Sequence, residues 1–500
     1  MNLNIYITKI CIITAHPRPS VPDTPKISRN FHSHIFTNFA LSNNVAMYDN
    51  RDSIDFGASN IERLFASIFF PTVLGMLFSM AFIVTDGIFV GHGVGSHGLA
   101  AVNLICPIML LINGVGMMIG GGVSVVAAIH LSRGNIKAAR INISQAYVAG
   151  ILAAILVSLV CYLFPTTILH LLGAHGDLYN ITREYYLWFM PSCIFSMVGN
   201  IAMFAIRLDG APRYAMMINI VISVVNGVLD YIFIFPCQWG LRGAALATDI
   251  GGIAGMAMVI YYMLRRTRTL RLYPIKTTPT SLRLMGRNVG YMCRMGMPSL
   301  VAEIAVAVMI LTGNIVFQHY LGNDGVAAYS VICYLFPLVY MLYFAVSQSA
   351  QPIISFNHGA GNPNRSRYTF RFSLLVGLLC GILIMSCFIF FADTIVSIFL
   401  DPDETAYALA SGGLPLYASG FLFLAFNVCY VGYCQSIERS TLAVFITSLR
   451  GIFLMVASFV VMPHLIGTRG LWLAIPVAEG LTTLFIAIYQ SIIVCRRKTP

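Results

Sequence analysis

Four residues with oxygen-bearing side chains interrupt long apolar segments of this 500-residue chain. Asp86, Asp230 and Thr248 each lie five or six residues from the turn that should end their helix. At a rise of 1.5 Å per residue, all three lie about 7–9 Å below the helix ends. Asn226 is one helical turn from Asp230 on the same face. Three helices are therefore predicted to present oxygen atoms at one level of the protein.

A pair of carboxylates at this depth needs a positive partner. An ionised aspartate inside a membrane span costs about 2.5–3.5 kcal/mol on insertion scales. Two facing carboxylates cannot both stay charged without a cation or a shared proton. Oxygen ligands that include an amide and a hydroxyl suit a hard cation such as Na⁺, whereas the same carboxylates would also serve as a relay for H⁺. The alternative is two separately hydrogen-bonded structural acids.

The composition indicates that membrane helices carry these residues. Hydrophobic residues make up 58% of the chain, charged residues only 10%, and the mean hydropathy is +0.80. Soluble domains carry about 25% charged residues, and one membrane-spanning helix needs about 20 apolar residues. We predict an all-α integral membrane protein. Its twelve predicted spans cover residues 64–90, 99–130, 138–164, 180–206, 213–236, 242–265, 290–320, 326–356, 367–398, 406–435, 441–463 and 471–494.

Arginine and lysine concentrate in every second loop of the predicted topology. In membrane proteins, such an excess of basic residues is typical of the loops on the cytoplasmic side. The basic loops hold Arg133, Lys137, Arg140, Arg207, Arg213, the many bases of residues 265–294, Arg365, Arg367, Arg371, Arg439 and the bases of residues 496–498, against Arg183, Arg242 and Arg469 in the others. This pattern predicts a multi-pass protein of the plasma (inner) membrane with both termini cytoplasmic. It also accounts for the net charge of +11 without nucleic acid, because no basic groove with interleaved aromatics is present.

The second half of the chain repeats the first at a single offset of 227 residues. Matching pairs include Pro71 and Pro298, Gly95 and Gly322, Gly134 and Gly361, and Arg242 and Arg469. Each copy holds six spans, so the two copies share one orientation and should be related by an axis along the membrane normal. Two such lobes with a cleft between them form an alternating-access carrier; the alternative is a duplication that serves stability alone.

The repeat fails at the four polar positions. The counterparts of Asp86, Asn226, Asp230 and Thr248 are Gly313, Phe453, Ala457 and Ile475. The predicted ion ligands therefore belong to the first lobe alone, and the second lobe should contribute its half of the cleft.

The predicted domains follow from the spans. Residues 1–60 are polar and form a disordered or non-native leader, with Met47 as a candidate start. Residues 61–265 form the first lobe, 266–289 a basic cytoplasmic linker, 290–495 the second lobe, and 496–500 a cytoplasmic tail.

Several short motifs resemble those of the multidrug and toxic compound extrusion (MATE) family, most closely its bacterial multidrug-efflux branch. They are Pro71 followed by residues 85–91 (TDGIFVG) and 99–101 (LAA), the stretch from Asn226 to Asp230, residues 243–248 (GAALAT), and residues 351–361 (QPIISFNHGAG). The resemblance covers about residues 60–495. The order, spacing and twofold repeat of these motifs together make the resemblance specific.

The resemblance implies two six-helix lobes in a V shape and antiport of drugs against Na⁺ or H⁺. It places the family's first-lobe cation site on Asp86, Asn226, Asp230 and Thr248, and it implies that the first helix bends at Pro71. One departure concerns the seventh helix. Some relatives carry an acid about eight residues after its proline, whereas Glu303 follows Pro298 by five.

A second set of residues forms the candidate lining of the substrate cleft. The acids could attract cationic drugs or bond to neighbouring helices, and the aromatic rings would help to line an apolar wall. These candidates are Glu303, Glu479, Tyr334, Tyr340 and Tyr343.

We therefore expect a cation-coupled antiporter that exports structurally varied organic, often cationic, drugs or toxic metabolites. We expect a monomer in the lipid bilayer with no cofactor, no nucleic-acid partner and Na⁺ or H⁺ as its coupling ion. The alternative is a lipid-linked oligosaccharide flippase, which should line its cleft with basic residues, yet the spans hold few. An enzyme is not expected, since nucleophile–base and metal-ligand motifs such as HExxH are missing from the sequence.

Overall fold

A computed structural model of the chain describes residues 55–498. Most of the predicted leader lies outside the described residues. Within residues 55–498 all regular structure is helical, with no β-strand.

The first half contains six spans, numbered in chain order. Span 1 is Ile61–Gly93, span 2 Ser96–Ser132, span 3 Ile136–Leu163, span 4 the pair Asp177–Phe189 and Ser192–Leu208, span 5 Pro212–Ile234, and span 6 Gly240–Tyr261 with the π-helical turn Tyr262–Arg266. A short helix, Pro165–Leu171, follows span 3. These six spans form the first lobe.

The second half repeats this order. Spans 7 and 8 lie in one run, Pro279–Gly359; span 9 is Pro363–Phe390, span 10 the pair Thr405–Ala418 and Phe421–Ser436, span 11 Ser440–Ser448, Leu449–Phe453 and Leu454–Ile466, and span 12 Arg469–Lys498. A short helix, Ala392–Val396, follows span 9. These spans form the second lobe.

The number of spans follows from length and from three breaks. In residues 55–498, nine helices are long and apolar enough to cross a membrane, and two pairs bent by 48° and 49° bring the total to eleven. The 81-residue run Pro279–Gly359 would be about 120 Å long if straight, several times a bilayer core of about 30 Å. It is broken at Gly322, where φ is 65° and ψ is −152°. The run is therefore two spans, and the predicted total of twelve is confirmed.

The sequence repeat is also visible in the backbone. Gly95 and Gly322 both adopt positive φ, as do Gly134 and Gly361, and each pair is separated by the repeat offset. A residue with a Cβ rarely takes this conformation, so the repeat keeps glycine at equivalent turns. The bent spans 4 and 10 and the short helices after spans 3 and 9 also correspond. The two lobes are therefore built alike.

The linker between the lobes is shorter than predicted. Span 7 begins at Pro279, capped by Thr278, so residues 279–289 are helical. The extended part is fastened to the first lobe by Asp209, whose carboxylate accepts 2.8 Å hydrogen bonds from the backbone N–H groups of Arg268, Thr269 and Leu270. The Asp209 carboxylate also accepts a 2.7 Å hydrogen bond from the Tyr262 hydroxyl.

The lobes pack closely in the half of the molecule nearer one end, here called the basic end because it is formed by the Arg- and Lys-rich loops after the even-numbered spans. A Cβ added to Gly296 of span 7 would lie 1.7 Å from the carbonyl oxygen of Met118 in span 2. A Cβ added to Gly122 would lie 1.9 Å from the carbonyl oxygen of Met292. Glycine at both positions therefore lets the backbones of spans 2 and 7 touch.

Hydrogen bonds between the lobes are confined to the same half of the molecule. Arg207 donates to Gln348, Asn288 Nδ2 donates to Gln145 Oε1 at 3.1 Å, and the Asn357 side chain donates to the Phe56 carbonyl at 2.9 Å. In the described residues no inter-lobe hydrogen bond lies further from the basic end than the one from Asn113 to Glu303, near the middle of spans 2 and 7. The structure is thus closed at the basic end.

Candidate functional site

Close packing of spans 1, 5 and 6 brings together the four predicted ion ligands. Span 6 approaches span 5 at Gly251, where an added Cβ would lie 3.0 Å from Asn226 Cβ. Span 1 approaches span 5 at Gly93, where an added Cβ would lie 2.1 Å from a methyl group of Ile234. These contacts enclose Asp230 completely and leave Asn226 only 1% exposed.

Within this group, Thr248 orients Asn226. The Thr248 hydroxyl donates to the Ala244 carbonyl at 3.1 Å and accepts from Asn226 Nδ2 at 3.1 Å. The amide nitrogen of Asn226 is thereby occupied, which leaves its carbonyl oxygen free for another ligand. The carboxyl groups of Asp86 and Asp230 lie close enough for a hydrogen bond if one of them is protonated.

Four oxygen atoms at this site are buried without a hydrogen-bond partner. They are one oxygen of Asp86, the side-chain oxygen of Asn226 and both carboxylate oxygens of Asp230. A buried acceptor left unpaired costs about 1–3 kcal/mol, and more if it is charged. The arrangement therefore suits a small cation or a shared proton, either of which would satisfy several of these atoms at once.

The donor set differs from that of a transition-metal centre. Within residues 55–498, no group of three or more His, Cys, Asp and Glu side chains could hold a metal ion. Two carboxylates, an amide oxygen and a hydroxyl are hard ligands, which suits an alkali cation better than zinc.

Asp249 follows Thr248 and lies on another face of span 6. It is buried, and one of its carboxylate oxygens has no hydrogen-bond partner. Its electrostatic neighbours are Tyr162, Tyr185 and Cys193, on spans 3 and 4. No contact joins it to Asp86 or Asp230 among the described hydrogen bonds, so it stands beside the predicted site.

Glu303 lies at the junction of the two lobes. Its Oε1 accepts a 3.1 Å hydrogen bond from Asn113 of span 2, and Asn113 in turn accepts one of 2.9 Å from Asn200 of span 4. The acid is half-buried, and through the bond to Asn113 it joins the two lobes. The sequence did not indicate the two asparagines, although both lie inside predicted spans.

Glu479 is enclosed in the second lobe instead of facing a cleft. It is 1% exposed, lies 3.3 Å from Arg450 Nη1, and accepts a 2.7 Å hydrogen bond from Asn427. The structure thus favours the structural alternative for this acid. Arg450 lies in the π-helical turn Leu449–Phe453, which has no counterpart in span 5. Its guanidinium also lies over the Tyr340 ring, 5.7 Å from the centroid.

The three candidate tyrosines have different surroundings. Tyr334 is 55% exposed and stacks on Phe399. Tyr340 is half-buried and borders a small cavity of about 30 Å³ beside Arg450. Tyr343 is fully buried inside the second lobe, so the expectation that it lines the cleft is wrong for this conformation. Pro71 is buried within span 1, which continues through it as a helix.

The fold and the polar group together define a two-lobed, multi-pass membrane transporter. The MatE family model matches residues 71–232 and 298–460, once in each lobe, and the chain belongs to this family. The alternative of a lipid-linked oligosaccharide flippase is therefore not favoured.

Known proteins resemble the whole membrane part. Multidrug export protein MepA of Staphylococcus saprophyticus is 23% identical over 418 residues, which cover 83% of this chain and 90% of that protein. An FAD transporter of Shewanella oneidensis is 23% identical over 430 residues, covering 84% of this chain and 92% of the relative.

Two solved structures agree in fold. An outward-facing multidrug resistance MATE family transporter superposes with a TM-score of 0.82 at 17% identity, covering 90% of this chain and all of that one. The Vibrio cholerae MATE transporter VcmN superposes with a TM-score of 0.79 at 22% identity, covering 88% of this chain and 98% of that one. At these low identities the likeness shows the fold alone.

Proposed function

We propose that this protein exports organic, often cationic, compounds from the cell in exchange for Na⁺ or H⁺. The observation that carries the proposal is the set of four unpartnered oxygens on Asp86, Asn226 and Asp230 inside the first lobe. An export function is supported by the family and by the name of the Staphylococcus relative. By the charge pattern of its loops, the basic end faces the cytoplasm of a plasma (inner) membrane.

The exchange works by competition between two states of the transporter. The present structure is closed at the basic end, which corresponds to the state that receives ions from outside. A cation or proton that joins Asp86 to Asp230 draws spans 1 and 5 together, and Pro71 gives span 1 the freedom to bend because it removes one backbone hydrogen bond. Drug and ion each favour a different arrangement of the first lobe, so binding of one releases the other.

Thr248 and Glu303 have supporting roles in this scheme. Thr248 keeps the Asn226 carbonyl oxygen turned towards the ion. Glu303 borders the central space, where its charge attracts a cationic substrate, and its bond to Asn113 closes when the lobes approach.

The proposal is tested by ethidium uptake into inverted membrane vesicles, the direction that corresponds to export from the cell, under a pH gradient or a Na⁺ gradient, each applied alone. We expect one of the two gradients to drive uptake and the other to leave it unchanged. A flavin nucleotide serves as a second substrate, given the Shewanella relative. If neither gradient moves either compound while the protein is present and folded, the proposed antiport is refuted.

A further inference from the structure

A groove at the basic end lies apart from the ion site and from the space between the lobes' central regions. It has a volume of about 410 Å³ and lies between spans 2 and 3 of the first lobe and span 7 of the second. Val126, Ala138 and Ile141 form its apolar wall, while His130, Arg287 and Tyr291 supply polar groups. The volume is far above the roughly 30 Å³ share of one water molecule, so a larger ligand fits.

The polar part of the groove carries positive charge. Arg287 is exposed, and within residues 55–498 no acidic side chain lies at ion-pairing distance from it. Arg133 and Glu438 are both close enough to His130 to interact with it electrostatically. Glu438 also accepts a 2.5 Å hydrogen bond from Tyr291 and lies 3.7 Å from His358. Its charge is thus shared with other partners, and the groove keeps a positive excess.

His130 is one of the polar residues that line the groove. Its Nδ1 atom is buried inside the protein, so a ligand in the groove would meet the imidazole ring at Nε2.

An apolar stripe leads from the groove towards the middle of the membrane. Ile141, Val148, Leu152 and Ile155 lie on one face of span 3 by helical periodicity. The last three are exposed, so the bilayer covers them. A molecule with a charged head in the groove would therefore have room for an acyl chain along this stripe.

We propose that this groove binds the headgroup of an anionic phospholipid. The groove lies within about two turns of the end of span 2 and of the start of span 3, at the level where headgroups lie. Basic pockets between membrane helices on the cytoplasmic side are suited to such lipids. The bound phosphate would contact Arg287 of the second lobe and His130 of the first, and so would hold the basic end closed.

The test measures lipid retention, so its outcome is independent of transport. The full chain is placed in nanodiscs that contain equal amounts of phosphatidylglycerol and phosphatidylcholine. The protein is then released from the nanodiscs, and native mass spectrometry identifies the lipids that stay bound to it. We expect retained phosphatidylglycerol in preference to phosphatidylcholine. Loss of one basic contact in Arg287→Gln should lower its retention about fivefold. Arg213→Gln removes the same charge from an exposed position at the same end, outside the groove, and should retain lipid like the parent.

Two further arms separate headgroup binding from simple charge. Ala138→Phe fills the groove without a change in charge and should also lower retention, and Arg287→Lys should restore most of it. Excess inorganic phosphate should compete weakly, since it cannot use the apolar stripe. Equal retention by Arg287→Gln and the parent, or equal loss in Arg213→Gln, would overturn the proposal. Full displacement by inorganic phosphate would overturn it in favour of a site for the free anion.

Discussion

The contact between spans 2 and 7 gives a sharp prediction about how the lobes move. A Cβ at position 296 would stand 1.7 Å from the Met118 carbonyl oxygen, whereas ordinary carbon–oxygen contacts are about 3.3–3.6 Å. In Gly296→Ala the two backbones must part by about 1.6–1.9 Å. Overpacking of this kind costs about 1–3 kcal/mol. The closed arrangement at the basic end should therefore become about 5- to 150-fold less favoured.

The opening can be measured with a native residue. Cys293 is partly buried one turn from Gly296, so its rate of alkylation by N-ethylmaleimide reports separation of the lobes. We expect Gly296→Ala to label faster than the parent, as followed by peptide mass spectrometry in intact membranes, and to export ethidium more slowly at equal expression.

Gly290→Ala is the matched control. It lies on the same span, and an added Cβ there meets no heavy atom within 4 Å. Both substitutions change helix propensity equally, so only the inter-lobe contact distinguishes them. Equal labelling and transport in the two variants would refute the proposed closure. Loss of thermal stability in Gly296→Ala without faster labelling would also refute the proposed closure. The free-energy cost of the added methyl group would then destabilise the folded protein instead of opening the lobes.

Three other changes test individual side chains. Thr248→Val should lower ion-driven efflux severalfold by releasing Asn226, and Thr248→Ser should restore it; equal activity in all three proteins would exclude the orienting role. Glu303→Gln keeps an acceptor for the inter-lobe hydrogen bond but loses the charge, so efflux of ethidium should fall more than efflux of a neutral substrate, and an equal fall would contradict a charge effect. Arg450→Met should lower the free energy of unfolding by about 3–5 kcal/mol, because it strands the charge of Glu479; the double variant with Glu479→Gln should recover much of the loss in thermal unfolding, and no recovery would exclude the ion pair as the cause.

Much of the fold could be predicted from the sequence because a membrane imposes a strict length and polarity on each helix. The repeat pairs Gly95 with Gly322 and thereby predicts the break that divides the 81-residue helix. The start of span 7 could not be predicted, since residues 279–289 hold two arginines and no long apolar run, and their helix depends on Pro279 and the Thr278 cap.

Part of the candidate site was also predictable. Asp86 and Asp230 differ from their counterparts in the repeat, and depth along the helices placed them at one level. Partnerships across helices were not predictable, because sequence spacing does not show which faces meet. Arg450 and Glu479 are 29 positions apart in the chain, and Asn113 and Glu303 are 190 positions apart. For the same reason, the burial of Tyr343 could not be distinguished from exposure to the cleft.

The central claim is that the carboxylate pair of the first lobe carries the coupling ion. It is tested most directly by the ion flux that accompanies ethidium transport in proteoliposomes, followed with radioactive sodium and with a pH-sensitive dye. We predict that Asp86→Asn and Asp230→Asn each abolish substrate-dependent ion flux, whereas Asp249→Asn, a buried acid outside the pair, retains it. Undiminished ion flux in both Asp86→Asn and Asp230→Asn, at equal reconstitution, would contradict the claim.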